Sequence, residues 1–222
     1  MSEKRNIWQL AARFQSLFVL ILMIVAMSLL SDRFLTTANG WNIMRQISVN
    51  VCLSIGMTLV ILSGGIDLSV GWVMGFASVV SAESMLMLAD AGVDPYLAIF
   101  ISFGVALLAA SSICLISGII IAKLSVPSFI VTLGMMSIAR GSSQVISNNV
   151  TITGMPKVFK DFGNWQLFDL VPIYFIIAIA VVFIAWFVLR FTIFGRFIYA
   201  IGNNEEAVRL SGHNPMPYKI SA

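Results

Sequence analysis

Six stretches of this chain run almost free of charge over lengths that make sense only in a bilayer: 14–30, 47–62, 70–88, 96–122, 125–139 and 171–189, the third interrupted once, by Glu83. A helix needs roughly 20 apolar residues to cross the hydrocarbon core, so each run, taken with its flanking residues, reads as one span. Only 10% of the chain is charged and 59% is hydrophobic, which excludes an ordinary soluble domain. The expected fold class is all-α, a polytopic transmembrane helical bundle forming a single domain over 1–222. The run 14–30 follows Lys4, Arg5 and Arg13 but is followed by Ser31-Asp32-Arg33-Phe34, a poor cleavage site, so it reads as a retained first span. Membrane lipid is therefore an expected partner, and no basic cluster is large enough to suggest nucleic acid.

Lys and Arg in the short loops set the expected orientation. With the N-terminus inside and six crossings, eight basic residues fall inside (Lys4, Arg5, Arg13, Lys123, Arg190, Arg196, Arg209, Lys219) and five outside (Arg33, Arg45, Arg140, Lys157, Lys160). The N-terminus is thus expected in the cytoplasm. Residues 191–219 become an inner loop, and 141–170 the longest outer one. Cys52 and Cys114 both lie in apolar runs and read as packing residues. The final Ile220-Ser221-Ala222 resembles the beginning of a further apolar segment, so a longer protein is expected.

"GGIDLSVGW", residues 64–72, puts a carboxylate between two of the apolar runs. A span starting outside near Ile43 reaches the inner face near Leu62 at roughly 1.5 Å per residue. Gly64 and Gly65 then permit a tight reversal with positive φ, and Asp67 is placed to accept from the free N–H groups of a helix opening at Leu68. A capped turn is one reading. A gate or hinge formed by Gly64, Gly65, Asp67, Ser69 and Gly71 is the other, with Lys123 and Arg190 as the nearest cationic candidates. Gly71 and Gly75 also make a small-xxx-small pair that suits close helix approach.

Within the inner loop, Gly202-Asn203-Asn204-Glu205-Glu206-Ala207-Val208-Arg209-Leu210-Ser211-Gly212 has the marks of a short amphipathic helix. Asn203 or Asn204 can cap it, and Glu205 and Arg209 are spaced i, i+4 with the acid first. Ala207, Val208 and Leu210 supply a small apolar face for a partner. Inside the spans, Asn50, Ser54 and Thr58 recur every fourth residue, either as a wet stripe or as helix–helix hydrogen-bonding groups. Glu83 is an intramembrane carboxylate, suited to a substrate path or to a structural pairing. Ser128 and Thr132 are further path candidates, and Arg140 is expected to snorkel at an outer helix end. His213 has no second ligand in sight, so no metal is expected, and no set of side chains forms a catalytic constellation.

The stretch "GGIDLSVG" resembles the signature of the inner-membrane permeases of bacterial sugar ABC importers of the ribose, xylose, arabinose and galactose group. "VPSFIVTLGMMSIARG" (126–141), "ITGMPKVFKDFG" (152–163) and "GRFIYAIGNNEEAVRLSG" (195–212) agree in the same order. The resemblance implies a bacterial inner-membrane transport subunit with no catalysis and no cofactor of its own. ATP would be bound by a separate cassette subunit, sugar would be delivered by a periplasmic binding protein, and a second permease copy or homologue would complete the path. It also implies that Glu206 to Gly212, spaced like the family's Glu-Ala-Ala-x-x-x-Gly loop with Val208 in place of the second Ala, docks on the ATPase. A branched-chain amino-acid importer permease is the close alternative. A secondary transporter is the more distant one, with Glu83 as its only intramembrane ion-coupling candidate.

Overall fold

The computed structural model describes residues 14–168 and 171–222. Among them the order is α1 (Gln15–Leu30), α2 (Thr37–Leu62), α3 (Val70–Asp90), α4 (Pro95–Leu124), α5 (Ser128–Ile146), α6 (Lys157–Asn164), β1 (Gln166–Leu167), β2 (Val171–Pro172), α7 (Ile173–Phe191), α8 (Ile193–Leu210) and α9 (Met216–Ser221). α2, α3, α4, α5 and α7 are long and apolar enough to cross a membrane, and α1 is a shorter apolar helix of 16 residues. The chain is a helical polytopic bundle, as its sequence predicts. α2 starts at Thr37, well before the expected Ile43, because Thr36 opens it: its Oγ1 accepts from the Asn39 N–H at 3.3 Å.

Two compact units divide the chain, 1–46 and 47–222. In the first, α1 buries none of its residues, and the Asn39 amide donates to the Phe34 carbonyl at 2.8 Å in the turn before α2. Lys4, Arg5 and Arg13, on which the orientation argument leans, lie outside the described residues.

The second unit is built on α3, α4 and α5. α3 packs directly against both α4 and α5. Val73, Ile113, Val131, Met135 and Ala139 form one buried cluster, and Met85, Ala98 and Ile99 form another nearer the opposite end. At that end Asp94 Oδ1 accepts from the N–H groups of Tyr96 (3.0 Å) and Leu97 (3.1 Å), and Pro95 takes the first helical position, where no N–H is needed. The amphipathic α6 lays Val158 and Phe159 on the Met85 cluster and leaves Lys157, Lys160 and Asp161 exposed.

α5 does not stop where its apolar run stops. It continues through Arg140 to Ile146, so the long connection begins at Ser147 rather than 141 and contains α6 and the β1–β2 hairpin. Ser143 shows why the helix tolerates polar residues: its buried hydroxyl donates back to the Ala139 carbonyl at 2.7 Å and exposes no unpaired group. Arg140 is consequently inside α5, six residues from the helix end.

Candidate functional site

α2 ends in a two-bond reversal. Gly64 N–H donates to Ile61 O and Gly65 N–H to Val60 O, both at 2.9 Å, with Gly64 at φ 82°. This is a Schellman closure, in which the left-handed position belongs to glycine for lack of a Cβ. Only Gly64 uses positive φ, contrary to the expectation for the pair. Gly65 is small for a different reason: a Cβ there would lie 3.1 Å from Val60 Cγ1.

Between the reversal and α3, residues 66–68 leave the helical ladder, and their backbone groups need partners that lipid does not supply. α5 supplies them. Ile66 N–H donates to Ser128 Oγ at 3.0 Å, and Leu68 N–H donates to Thr132 Oγ1 at 3.2 Å. Thr132 Oγ1 in turn donates to Ile66 O at 3.3 Å. Ser128 and Thr132 were path candidates; their hydroxyls strap the broken segment to α5. Thr132→Val, which keeps the shape and removes the hydroxyl, should leave the Leu68 N–H unpaired. We expect it to destabilise the segment by about 1–3 kcal/mol, read as faster amide exchange at 66–68 than in the wild type.

Asp67 Oδ1 accepts from Ser69 N–H at 2.7 Å and from Ser69 Oγ at 2.6 Å. Ser69 is the residue before α3, 2% exposed, and α3 opens at Val70. The carboxylate thus organises the residue that starts the helix and not, as expected, the helix's own first N–H groups at Leu68. Neither Lys123 nor Arg190 pairs with it; among the described residues the salt bridges are those of Glu205. Among the described residues, no other helix comes within 4 Å of a Cβ built on Gly71 or Gly75.

The 202–212 stretch is brought to this same turn. A Cβ built on Gly202 would run into the backbone carbonyl of Leu62, and the Cβ position of Gly64 lies 3.8 Å from Gly202 Cα. Two positions later α8 breaks at Asn204 (φ −160°, ψ 97°), whose Oδ1 accepts from the Ala207 N–H at 3.0 Å. Asn204 is therefore the cap, and Asn203 is not. The short helix closes at Gly212, φ 83°, by bonds from Gly212 N–H to Arg209 O (2.9 Å) and His213 N–H to Val208 O (3.2 Å). Ala207 and Leu210 face outward, Leu210 at 81% exposure, but Val208 is buried at 6%. The expected three-residue docking face is thus two residues, and Val208 is a core residue of this chain.

Glu205 bonds Arg209 and Lys219, each at 2.9 Å. Burial pushes its carboxyl upward, but the hydrogen bonds and charges of Lys219 and Arg209 outweigh that and hold it below the usual carboxylate range. Its small contribution is present above the ordinary glutamate value and is lost as pH falls through the lowered one. Lys219 belongs to α9, whose Ile220 backbone packs on Gly118 of α4, where a Cβ would come within 3.1 Å of the Ile220 carbonyl. Phe197 ties α8 to α9 by stacking on Tyr218 at 4.6 Å and lies 4.8 Å from His213.

Turn, α4, α5 and the 205–222 segment line a half-open cavity of about 760 Å³. Asp67, Ser117, Ser128, Thr132, Glu205 and Arg209 contribute its polar lining, and Cys114, expected to be a packing residue, lines it as well. Asn50, Ser54 and Thr58 are not there: all three lie exposed along α2, with Thr58 Oγ1 donating to Ser54 O at 2.6 Å. Glu83, half-buried in α3, is also outside it. No cluster of three metal-ligating side chains occurs among the described residues. The seat of Gly202 on Leu62 was not legible beforehand; the only sequence signal was an unexplained glycine before the Asn pair.

Residues 39–222 match the family model described as "Branched-chain amino acid transport system / permease component". The chain is 39% identical to the ribose import permease protein of Escherichia coli K12 over 93% of its own length and 63% of that protein's. It is 35% identical to the ribose import permease protein of Bacillus subtilis 168 over 93% of the chain and 61% of the relative. To the D-allose transport system permease protein of Escherichia coli K12 it is 34% identical, over 90% and 59% respectively. The chain therefore spans about three fifths of the length of these curated relatives. No solved structure matches it.

Proposed function

The chain belongs to the permease family whose model covers residues 39–222, and on that premise we propose that it is part of the membrane path of an ATP-driven importer for a monosaccharide. The observation that carries the reading is the seat of Gly202 on Leu62 and Gly64: the helix that leads into the segment spaced like an ATPase-docking loop rests on a broken-helix turn between two spans. Displacement of 205–212 reaches the turn through the break at Asn204 and the contact of Gly202. The relatives are named for ribose, fructose and allose, which favours a sugar over the amino acid in the family description.

In this reading ATP is hydrolysed on a separate cassette subunit, sugar arrives from a periplasmic binding protein, and a second permease copy or homologue completes the path. The N-terminus and the 191–219 loop are cytoplasmic. Within the second unit, the turns assigned inside by charge (63–69, 123–127, and α8 with α9) meet at the cavity, as turns on one side of a bundle must.

Uptake of labelled D-ribose, D-allose and L-leucine by vesicles holding the permease with its ATPase and binding protein tests the substrate class. Saturable sugar uptake is expected; uptake of leucine alone would refute it. Orientation is tested in intact cells after replacing Cys52 and Cys114. A cysteine at Thr151 should react with an impermeant thiol reagent and one at Asn203 should not, and the reverse pattern would invert the topology.

A further inference from the structure

Arg140 lies 12 residues beyond the first residue of α5, on the order of 18 Å along the helix. It is exposed, and its guanidinium carbon stands 5.0 Å from the ring centroid of Trp72, itself 38% exposed. Val73, Met135 and Ala139, their neighbours on α3 and α5, are buried, so the pair lies on the open side of that seam. No carboxylate pairs with the arginine, since the salt bridges among the described residues both belong to Glu205. An arginine at this depth faces water or protein, not lipid chains. Trp72 is also one helical turn beyond Leu68, the last residue of the strapped segment, so the pair stands next to the turn through which inward opening would occur.

We propose that Trp72 and Arg140 form a contact site for a neutral sugar ring in the import path, its last stop before the Gly64–Asp67 turn. The site rests on the sugar-permease reading above. A guanidinium presents five donors in a planar fork, which suits adjacent hydroxyl oxygens, and an indole offers an apolar face to the C–H side of the ring. The cation–π contact holds the guanidinium in place before the sugar arrives. A second copy of the chain is the weaker candidate for this face: within the membrane-crossing helices of the second unit its only acids to offer Arg140 are Glu83 and the terminal Asp90.

The test uses the assembled transporter in vesicles, with D-ribose as probe and uptake measured per ATP hydrolysed. Arg140→Gln and Trp72→Ala should each lower that ratio about tenfold or more, the loss of one charge-assisted contact or one aromatic platform. ATPase stimulation by ribose-loaded binding protein should be unchanged, and Trp72→Phe should retain most of the uptake because an aromatic face remains. An unaltered ratio in both variants overturns the site. So does an Arg140→Gln variant whose permease pair dissociates in native mass measurement, which would make Arg140 an interface residue. Wild-type transporter that moves leucine and no sugar overturns the underlying reading, a result visible before any variant is made.

Discussion

Gly202→Ala should reach the membrane at normal level and lose nearly all transport. The added Cβ meets the Leu62 carbonyl oxygen and comes within 2.9 Å of the Leu62 carbonyl carbon, both backbone atoms at the closing turn of α2. Backbone cannot rotate aside as a side chain can, so α8 must move off the turn, an overpacking that costs about 1–3 kcal/mol. If that contact transmits force, separating the two surfaces lowers uptake by about tenfold or more at 1.4 kcal/mol per decade, while the docking segment 205–212 still binds the ATPase. The measurements are uptake and ATPase co-purification at matched membrane levels. Gly71→Ala is the internal control: nothing lies within 4 Å of its Cβ position, and helix-interior Gly→Ala is favourable by roughly 0.5–1 kcal/mol. A Gly202→Ala protein that transports normally removes the transmission route.

Asp67→Ala and Asp67→Asn should separate sharply. Asp67 Oδ1 accepts from both donors of Ser69, a residue 2% exposed. Asn retains an oxygen at that place and should transport nearly as well as wild type. Ala leaves a buried N–H and hydroxyl without that acceptor, at about 1–3 kcal/mol, and should loosen the start of α3 together with the strap to Ser128 and Thr132. Uptake and amide exchange at Ser69 read the two effects. A dead Asn variant with intact assembly would mean that the negative charge itself is used, although no cation among the described residues forms a salt bridge with Asp67.

The features legible in the sequence are those whose causes lie within one helical turn or one span length. Charge-free runs located α2, α3, α4, α5 and α7 because a bilayer filters on local composition. Gly64, the Glu205–Arg209 spacing and a capping asparagine were readable because reversals and caps involve neighbours three to five residues apart. Local pattern failed where a charge interrupts a helix that polar self-bonding allows to continue, as at Arg140 and Ser143 in α5. Tertiary structure alone decided that Ser128 and Thr132 serve the backbone of residues 66–68, that Val208 points inward while Leu210 points out, and that Gly202 is a glycine for the sake of Leu62. Each of these joins groups more than 60 residues apart, or depends on which side of a short helix meets such a distant surface. A periodicity reports that a face exists, whereas its occupant is set by how the helices pack.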